Sequence, residues 1–190
     1  MSEDDLVGRA ADGNRDAFRT LVETHSGQVY RIALGLVRNH HDAEEAVQET
    51  FLRAFRGLDS FRGDAIISSW LYRIAVNASH DVGRRRRRVP EPLPEGPAAG
   101  PEPVTDHPDH DPERWAASRL LRADIDRAVL RLSDRERTIF VLRHDAGLKL
   151  SEIAEVLGKA DGTVKNLLFR AVRKLRKTLA VHLETQEVPR

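Results

Sequence analysis

The chain contains no cysteine. This excludes disulfide staples, thiolate metal sites and cysteine nucleophiles, and it agrees with a reducing compartment. Aromatic residues make up only 5% of the sequence, so any core must be built mainly from aliphatic side chains and alanine. No run approaches the roughly 18 apolar residues of a membrane span. The N-terminal Met1-Ser2-Glu3-Asp4-Asp5 is acidic with no apolar stretch behind it, unlike a secretory signal. A soluble protein with no membrane span is expected. Net charge is nearly absent too: +1, from 31 basic and 30 acidic residues. Any attraction to nucleic acid must therefore come from local clustering.

Proline is scarce except in one place. Eight of the nine prolines lie between Val89 and Glu113, with seven acids (Glu91, Glu95, Glu102, Asp106, Asp109, Asp111 and Glu113) and no lysine or arginine. Such a stretch cannot hold a helix or bury a core, so an extended, acidic, mostly disordered linker is expected over 89–113. It divides the 190 residues into segments 1–88 and 114–190, each with helical periodicity. The expected class is all-α: two small helical domains on a flexible tether.

In the first segment Phe18, Leu21, Val22, Val29, Ile32, Ala33 and Leu36 recur at three- and four-residue steps, as on one face of a long helix. Asp42 and Glu45 have the spacing of a variant capping box. Behind them Ala43, Ala46, Val47, Phe51, Ala54, Phe55 and Leu58 form a predicted buried stripe. A loop over Asp59–Ser69 leads to a third amphipathic helix through Trp70, Leu71, Ile74, Ala75, Ala78 and Val82, which runs into five arginines, Arg84 to Arg88. The second segment opens near Arg114 with Trp115, Leu120, Leu121, Ile125, Val129 and Leu132. Ser133 and Glu136 form a capping box, and Gly147 ends the helix that follows.

Ile153, Ala154 and Leu157, then Gly158, then Val164, Leu168 and Leu175 have the spacing of a helix-turn-helix. On a wheel, Val164, Leu168, Ala171, Val172 and Leu175 share the core side of the last helix. Asn166, Phe169, Arg170 and Arg173 point away, with Thr163 and Lys165 at the flanks. From Gly162 to Lys177 there are six cations (Lys165, Arg170, Arg173, Lys174, Arg176 and Lys177) and no acid. A one-signed helix repels itself but suits the neutralisation of phosphates. Asn166 can read an adenine edge and Arg170 a guanine edge, while Leu167 and Phe169 offer apolar contact to a thymine methyl.

These residues also carry a family likeness. The run from Leu132-Ser133-Asp134-Arg135-Glu136-Arg137 through Phe140-Val141-Leu142-Arg143, Gly147-Leu148, Glu152-Ile153-Ala154, Gly158 and Gly162-Thr163-Val164-Lys165 resembles the sigma-factor domain that reads the minus-thirty-five element. Asp42-Ala43-Glu44-Glu45-Ala46-Val47-Gln48-Glu49-Thr50-Phe51-Leu52-Arg53-Ala54-Phe55 looks like the family's polymerase-binding helix. Phe61-Arg62-Gly63-Asp64-Ala65 and Trp70-Leu71-Tyr72-Arg73-Ile74-Ala75, with Asn77, Asp81 and Arg84-Arg85, match the part that melts and reads the minus-ten element. The whole is similar to the extracytoplasmic-function sigma factors.

The resemblance implies partners and roles. Asp42, Glu45, Gln48, Glu49, Leu52 and Arg53 would sit on the beta-prime clamp of core RNA polymerase; Leu52 lies off the buried stripe, where a partner suits it better than water. Phe61, Arg62, Asp64, Ser68, Ser69 and Trp70 would capture a flipped base of the minus-ten element, and Arg73, Asn77, Arg84 and Arg85 would track phosphates. Arg143, Thr163, Lys165, Asn166, Leu167, Phe169, Arg170, Arg173 and Lys174 would face the minus-thirty-five element, with the beta flap as a second contact. An anti-sigma factor, often membrane-anchored, is the expected regulator of a cytoplasmic protein. No catalytic residue, cofactor, metal or small-molecule substrate is implied. The linker would thread the polymerase cleft towards the RNA exit path or act as a plain spacer. The chain departs from the family pattern at Lys159-Ala160-Asp161, where Asp161 is expected to take the N-cap. It departs again at Asn166-Leu167, usually serine and arginine, and at Ile66-Ile67, which makes the first-domain loop more apolar.

Three other readings compete, one of them a protein-binding scaffold. A stand-alone helix-turn-helix regulator would explain the second segment but not the organised first one. A metal-dependent enzyme could use His40, His41, Asp42 and Glu45, or His107, Asp109, His110 and Asp111, but the latter set lies in the proline-rich stretch, where nothing would fix ligand geometry.

Overall fold

The computed structural model describes residues 3–61, 66–88 and 123–186, with the side chains of Ser60 and of 181–186 left aside. The predicted linker over 89–113 and Trp115, Leu120 and Leu121 lie outside the described residues, as do Arg62 and Asp64. Every regular element among the described residues is helical, as expected for the class. None of these helices is long and apolar enough to cross a membrane.

Helix α1 (Glu3–Ala11) buries Leu6, Val7 and Ala10, an element that sequence periodicity missed. Gly13, at φ +88°, turns the chain, and the Asn14 side chain then caps α2 (Arg15–Val37) by accepting from the amides of Asp16 and Ala17. Buried His25 on α2 meets Glu3 at 3.0 Å and ties α1 down. The predicted cap at Asp42 is corrected: Asn39 caps α3 (His40–Gly57), and Asp42 sits inside the first turn with its amide donating to Asn39 Oδ1 at 2.8 Å. A short 3-10 turn (Leu58–Ser60) follows. α4 begins at Ile67 and runs to Arg88, so Ser68 and Ser69 belong to the helix rather than to the predicted loop. Helices α2, α3 and α4 pack through Ala33, Ala43, Ala46 and Val82, small residues that let their axes approach.

In the second segment α5 covers 123–130. The expected capping box opens α6 (Asp134–His144): Ser133 Oγ accepts from the Glu136 amide, and the Glu136 carboxylate accepts from the Ser133 amide. α7 (Leu150–Leu157) ends at Gly158 in the left-handed region at φ +59°, a conformation that glycine adopts without strain. α8 spans Asp161–Gln186. The Ala160 carbonyl accepts its first bonds, so Asp161 lies in the first turn and not at the cap expected for it. Ala128, Val129 and Leu132 meet Ala171 and Leu175 in the core of this unit.

The two units are docked. Val29, Ile32 and Leu36 of α2 and Ala75 and Val76 of α4 share one buried cluster with Ile139, Val141 and Leu142 of α6 and Ile153 and Val156 of α7. At this seam His80 Nε2 lies 2.9 Å from Thr138 Oγ1, whose own proton goes to the Asp134 carbonyl. The hydroxyl therefore accepts from the imidazole. Beside it is a cavity of about 150 Å³, lined also by Leu36, Arg86, Leu130 and Arg137.

Burial holds the His80 imidazole below its ordinary pKa; Asp134 opposes this, and the cations Arg84, Arg137 and Arg87 reinforce it. The folded chain thus takes up this proton less readily than the unfolded one. The contribution of His80 to stability is complete above the ordinary value of 6.5 and declines as pH falls below it. Thermal melting at about pH 5.5 is therefore expected at a lower temperature than at about pH 7.5, with a smaller drop in His80→Gln. An equal drop in the two proteins would remove His80 as the cause.

Candidate nucleic-acid interface

Helix α8 separates its faces as the wheel predicts. Val164 and Ala171 are fully buried, and Leu175 is nearly so. Thr163, Lys165, Asn166, Arg170, Arg173 and Lys174 are exposed, and Phe169 is 69% exposed. Leu167 is half-buried against the shared core, so it offers less to a partner than its neighbours. Among the described residues Lys174 is the cation of this stretch that forms an ion pair, its Nζ 2.7 Å from Glu136 Oε2. Glu136 is 4% exposed; burial works against its charge, but hydrogen bonds from Lys174 and Ser133 outweigh that and hold its carboxyl below the usual range. Lys174 thus ties α8 to α6. Lys165, Arg170, Arg173, Arg176 and Lys177 carry no such tie among the described residues and leave a positive surface. Arg143, exposed at the end of α6, donates to the Leu148 carbonyl at 3.0 Å and braces the turn before α7.

On α3 the expected partner-facing set divides in two. Asp42 is buried, and it accepts from Arg86 at 2.8 Å and from Asn39 at 2.7 Å. Glu45 holds Arg85 at 2.6 Å. Arg53 bridges Glu49 at 2.7 Å and Asp81 at 2.8 Å. Hydrogen bonds to Glu49 and Asp81 raise the Arg53 pKa further, and the bond from Arg53 holds the Asp81 carboxyl below its usual range. These charges knit α3 to the end of α4. Gln48 and Leu52 remain exposed, Leu52 to 51%. Phe55 joins them: the sequence reading put it in the buried stripe, but it is 51% exposed, with its ring edge-to-face on Phe18 at 5.1 Å. Its spacing from Leu52, one turn along the helix, was the available signal.

Around the start of α4, Phe61 and Trp70 stand with ring centroids 5.3 Å apart, both half-buried. Ser69 is 5% exposed, whereas Ser68 is half-buried and Ile66 is 60% exposed. Arg73 donates through Nε to the Val156 carbonyl at 2.8 Å and through Nη2 to that of Glu155 at 2.7 Å. Asn77 is exposed. Arg84 pairs with Asp81, and Arg85 is held by Glu45. Among the described residues no cluster of histidines and acids is placed to hold a metal ion. His40 instead meets the Tyr30 hydroxyl at 2.6 Å, and Asp42 and Glu45 are held by arginines.

A helix-turn-helix whose second helix shows an exposed face of one charge defines a DNA-binding protein. Comparison with known proteins narrows the class. The profile of Sigma-70 region 2 matches residues 21–89, and that of Sigma-70, region 4 matches residues 122–175. The ECF RNA polymerase sigma factor SigW of Bacillus subtilis is 36% identical over 178 residues, covering 91% of this chain and 94% of that protein. SigM of Mycobacterium tuberculosis is 36% identical, covering 94% and 85%. Among solved structures, CnrH in complex with the cytosolic domain of CnrY superposes with a TM-score of 0.68 at 28% identity, covering 93% of this chain and 96% of that one. RpoE from Bartonella quintana, in complex with the anti-sigma factor NepR, gives 0.64 at 25% identity, covering 86% and 97%. The chain belongs to the ECF RNA polymerase sigma factors. It is a transcription initiation factor, and the stand-alone regulator reading falls away.

Structural and free cations on α8 should respond differently to removal. Lys174→Ala leaves a buried carboxylate short of its partner and is expected to cost about 1–3 kcal/mol in chemical denaturation. Arg170→Ala is expected to change stability by no more than about 0.5 kcal/mol. Equal losses would contradict this division.

Proposed function

We propose that the chain docks on core RNA polymerase through α3 and grips a promoter at two points. Residues 1–88 serve the minus-ten element, 114–190 serve the minus-thirty-five element and the beta flap, and 89–113 link them. The observation that carries the reading is the presence, on one chain, of a cation face on α8 that is unpaired among the described residues and an exposed apolar patch at Leu52 and Phe55 on α3. The first suits phosphates, the second an apolar protein partner. Gln48, Leu52 and Phe55 form the clamp contact, while Asp42, Glu45, Glu49 and Arg53 hold that helix in position.

At the upstream element Lys165, Arg170 and Arg173 engage phosphates or guanine, Asn166 reads a base edge, and Phe169 contacts a thymine methyl, with Thr163 at the helix start. At the downstream element Phe61 and Trp70 supply π faces and Asn77 and Arg73 polar contacts. Because RpoE from Bartonella quintana was solved with an anti-sigma factor, we assign a partner of that kind to this chain as well. The site of action is then the cytoplasm, where a membrane-anchored partner would hold the chain inactive.

Runoff transcription with purified core polymerase tests the reading, with promoter-dependent transcripts expected; folded chain that yields none overturns it. Leu52→Glu places a charge in the apolar contact and should weaken core binding by about tenfold or more while thermal melting is unchanged. Asn166→Ala should cost about 1–3 kcal/mol of discrimination at one or two upstream base pairs. A uniform loss across promoters would make Asn166 a backbone contact.

A further inference from the structure

The cavity beside His80 has a cationic wall. Arg86 and Arg87 of α4 and Arg137 of α6 line it, against the two carboxylates Asp42 and Asp134. Asp42 is taken up by Arg86 at 2.8 Å and by Asn39 at 2.7 Å. Asp134 stands 4.0 Å from Arg87 and 3.9 Å from Arg137, outside hydrogen-bond distance of both. Two guanidiniums therefore share one carboxylate that neither of them bonds.

Arg137 is the most enclosed of the three arginines, with 12% of its side chain exposed. Its Nε donates to the Val129 carbonyl at 3.3 Å, and its Nη2 donates to those of Leu130 at 2.8 Å and Leu132 at 3.2 Å. These carbonyls supply dipoles but no countercharge, and an enclosed cation without a close anion is costly. Burial accordingly lowers the Arg137 pKa; Asp134 opposes this, and Arg87 and Arg38 reinforce it. Space is left at the same point. Gly83 lines the cavity from inside α4, where glycine weakens a helix by roughly 1 kcal/mol relative to alanine. Its φ is not in the left-handed region, and a Cβ there would meet nothing within 4 Å. Neither backbone nor packing demands glycine here; its missing side chain leaves the wall open.

We propose that this cavity binds a phosphate-sized oxyanion, either inorganic phosphate or the phosphate group of a small monoester, between Arg87 and Arg137. Guanidinium forks match the oxygens of phosphate, and a dianion supplies the countercharge that Asp134 alone does not. The volume of about 150 Å³ falls below the roughly 300–1,000 Å³ of sites for larger organic ligands, so the site suits a small ion and not a nucleotide. It is distinct from the α8 face and from the Leu52–Phe55 patch, and it stands independently of the sigma-factor reading.

The test is calorimetric titration of the full-length chain with sodium phosphate at about pH 7.5, with sodium chloride adjusted to hold ionic strength constant. A parallel series uses glycerol phosphate. Saturable binding of inorganic phosphate is expected in the parent; binding of glycerol phosphate as well assigns the site to a monoester, and its failure to bind assigns it to the free ion. Arg87→Gln removes one guanidinium and should weaken binding about tenfold or more. Gly83→Leu keeps every arginine but fills the space, and should abolish binding. Both variants should retain the helical circular dichroism signal. Arg170→Ala, on the exposed face of α8, should bind phosphate as the parent does. Absence of saturable phosphate binding in the parent overturns the site. Binding that survives in Arg87→Gln and Gly83→Leu, or that is lost in Arg170→Ala instead, overturns it too.

Discussion

The arrangement depends on one close approach, the side of α2 at Gly35 against Val141 and Asp145 of α6. Around it the two units bury a common set of aliphatic side chains, Val29, Ile32 and Leu36 facing Ile139, Val141 and Leu142. Burying such a side chain is worth about 1.5–3 kcal/mol, so the seam is comparable to a small core. The polar contacts around it add specificity. Arg38 spans two carboxylates, His80 donates to Thr138, and Arg73 donates to the carbonyl end of α7.

A second constraint is how charge is distributed. The near-neutral total conceals a division of labour: acids and arginines along α3 and the end of α4 pair with each other and fix one helix on the other. α8 keeps most of its cations unpaired among the described residues, and only Lys174 is spent on Glu136. Among the described residues two chemically distinct surfaces are thereby left exposed: a cation face around Phe169, and the apolar pair Leu52 and Phe55.

Much of this could be read from residue order. Period-3.6 stripes located α2, α3, α4 and α8, and the Ser133–Glu136 box marked the start of α6 because both partners are local. Local competition explains the misplaced caps. Asn39 and Asp42 are both good capping residues three apart, and only the backbone decides that Asn39 wins. Helix α1 escaped notice because nine residues with three buried side chains give too short a pattern. Phe55 kept the period of the buried stripe yet is half exposed, covered on one side by Phe18. The docking of the two units was invisible for a more general reason. Ile139 and Val141 look the same in sequence whether they are covered by their own unit or by another, and ion pairs such as Arg38–Asp126 join residues far apart in the chain.

What unites these features is a chain that hides one apolar surface in itself while offering another to a partner. Hydroxyl-radical footprinting of side chains, with and without core RNA polymerase, tests that most directly. The account predicts that Leu52 and Phe55 are labelled in the free chain and become protected on the polymerase, while Leu36, Ile139 and Val141 are protected in the free chain. Labelling of Leu36, Ile139 and Val141 in the free chain, or labelling of Leu52 and Phe55 that does not change on the polymerase, would contradict it.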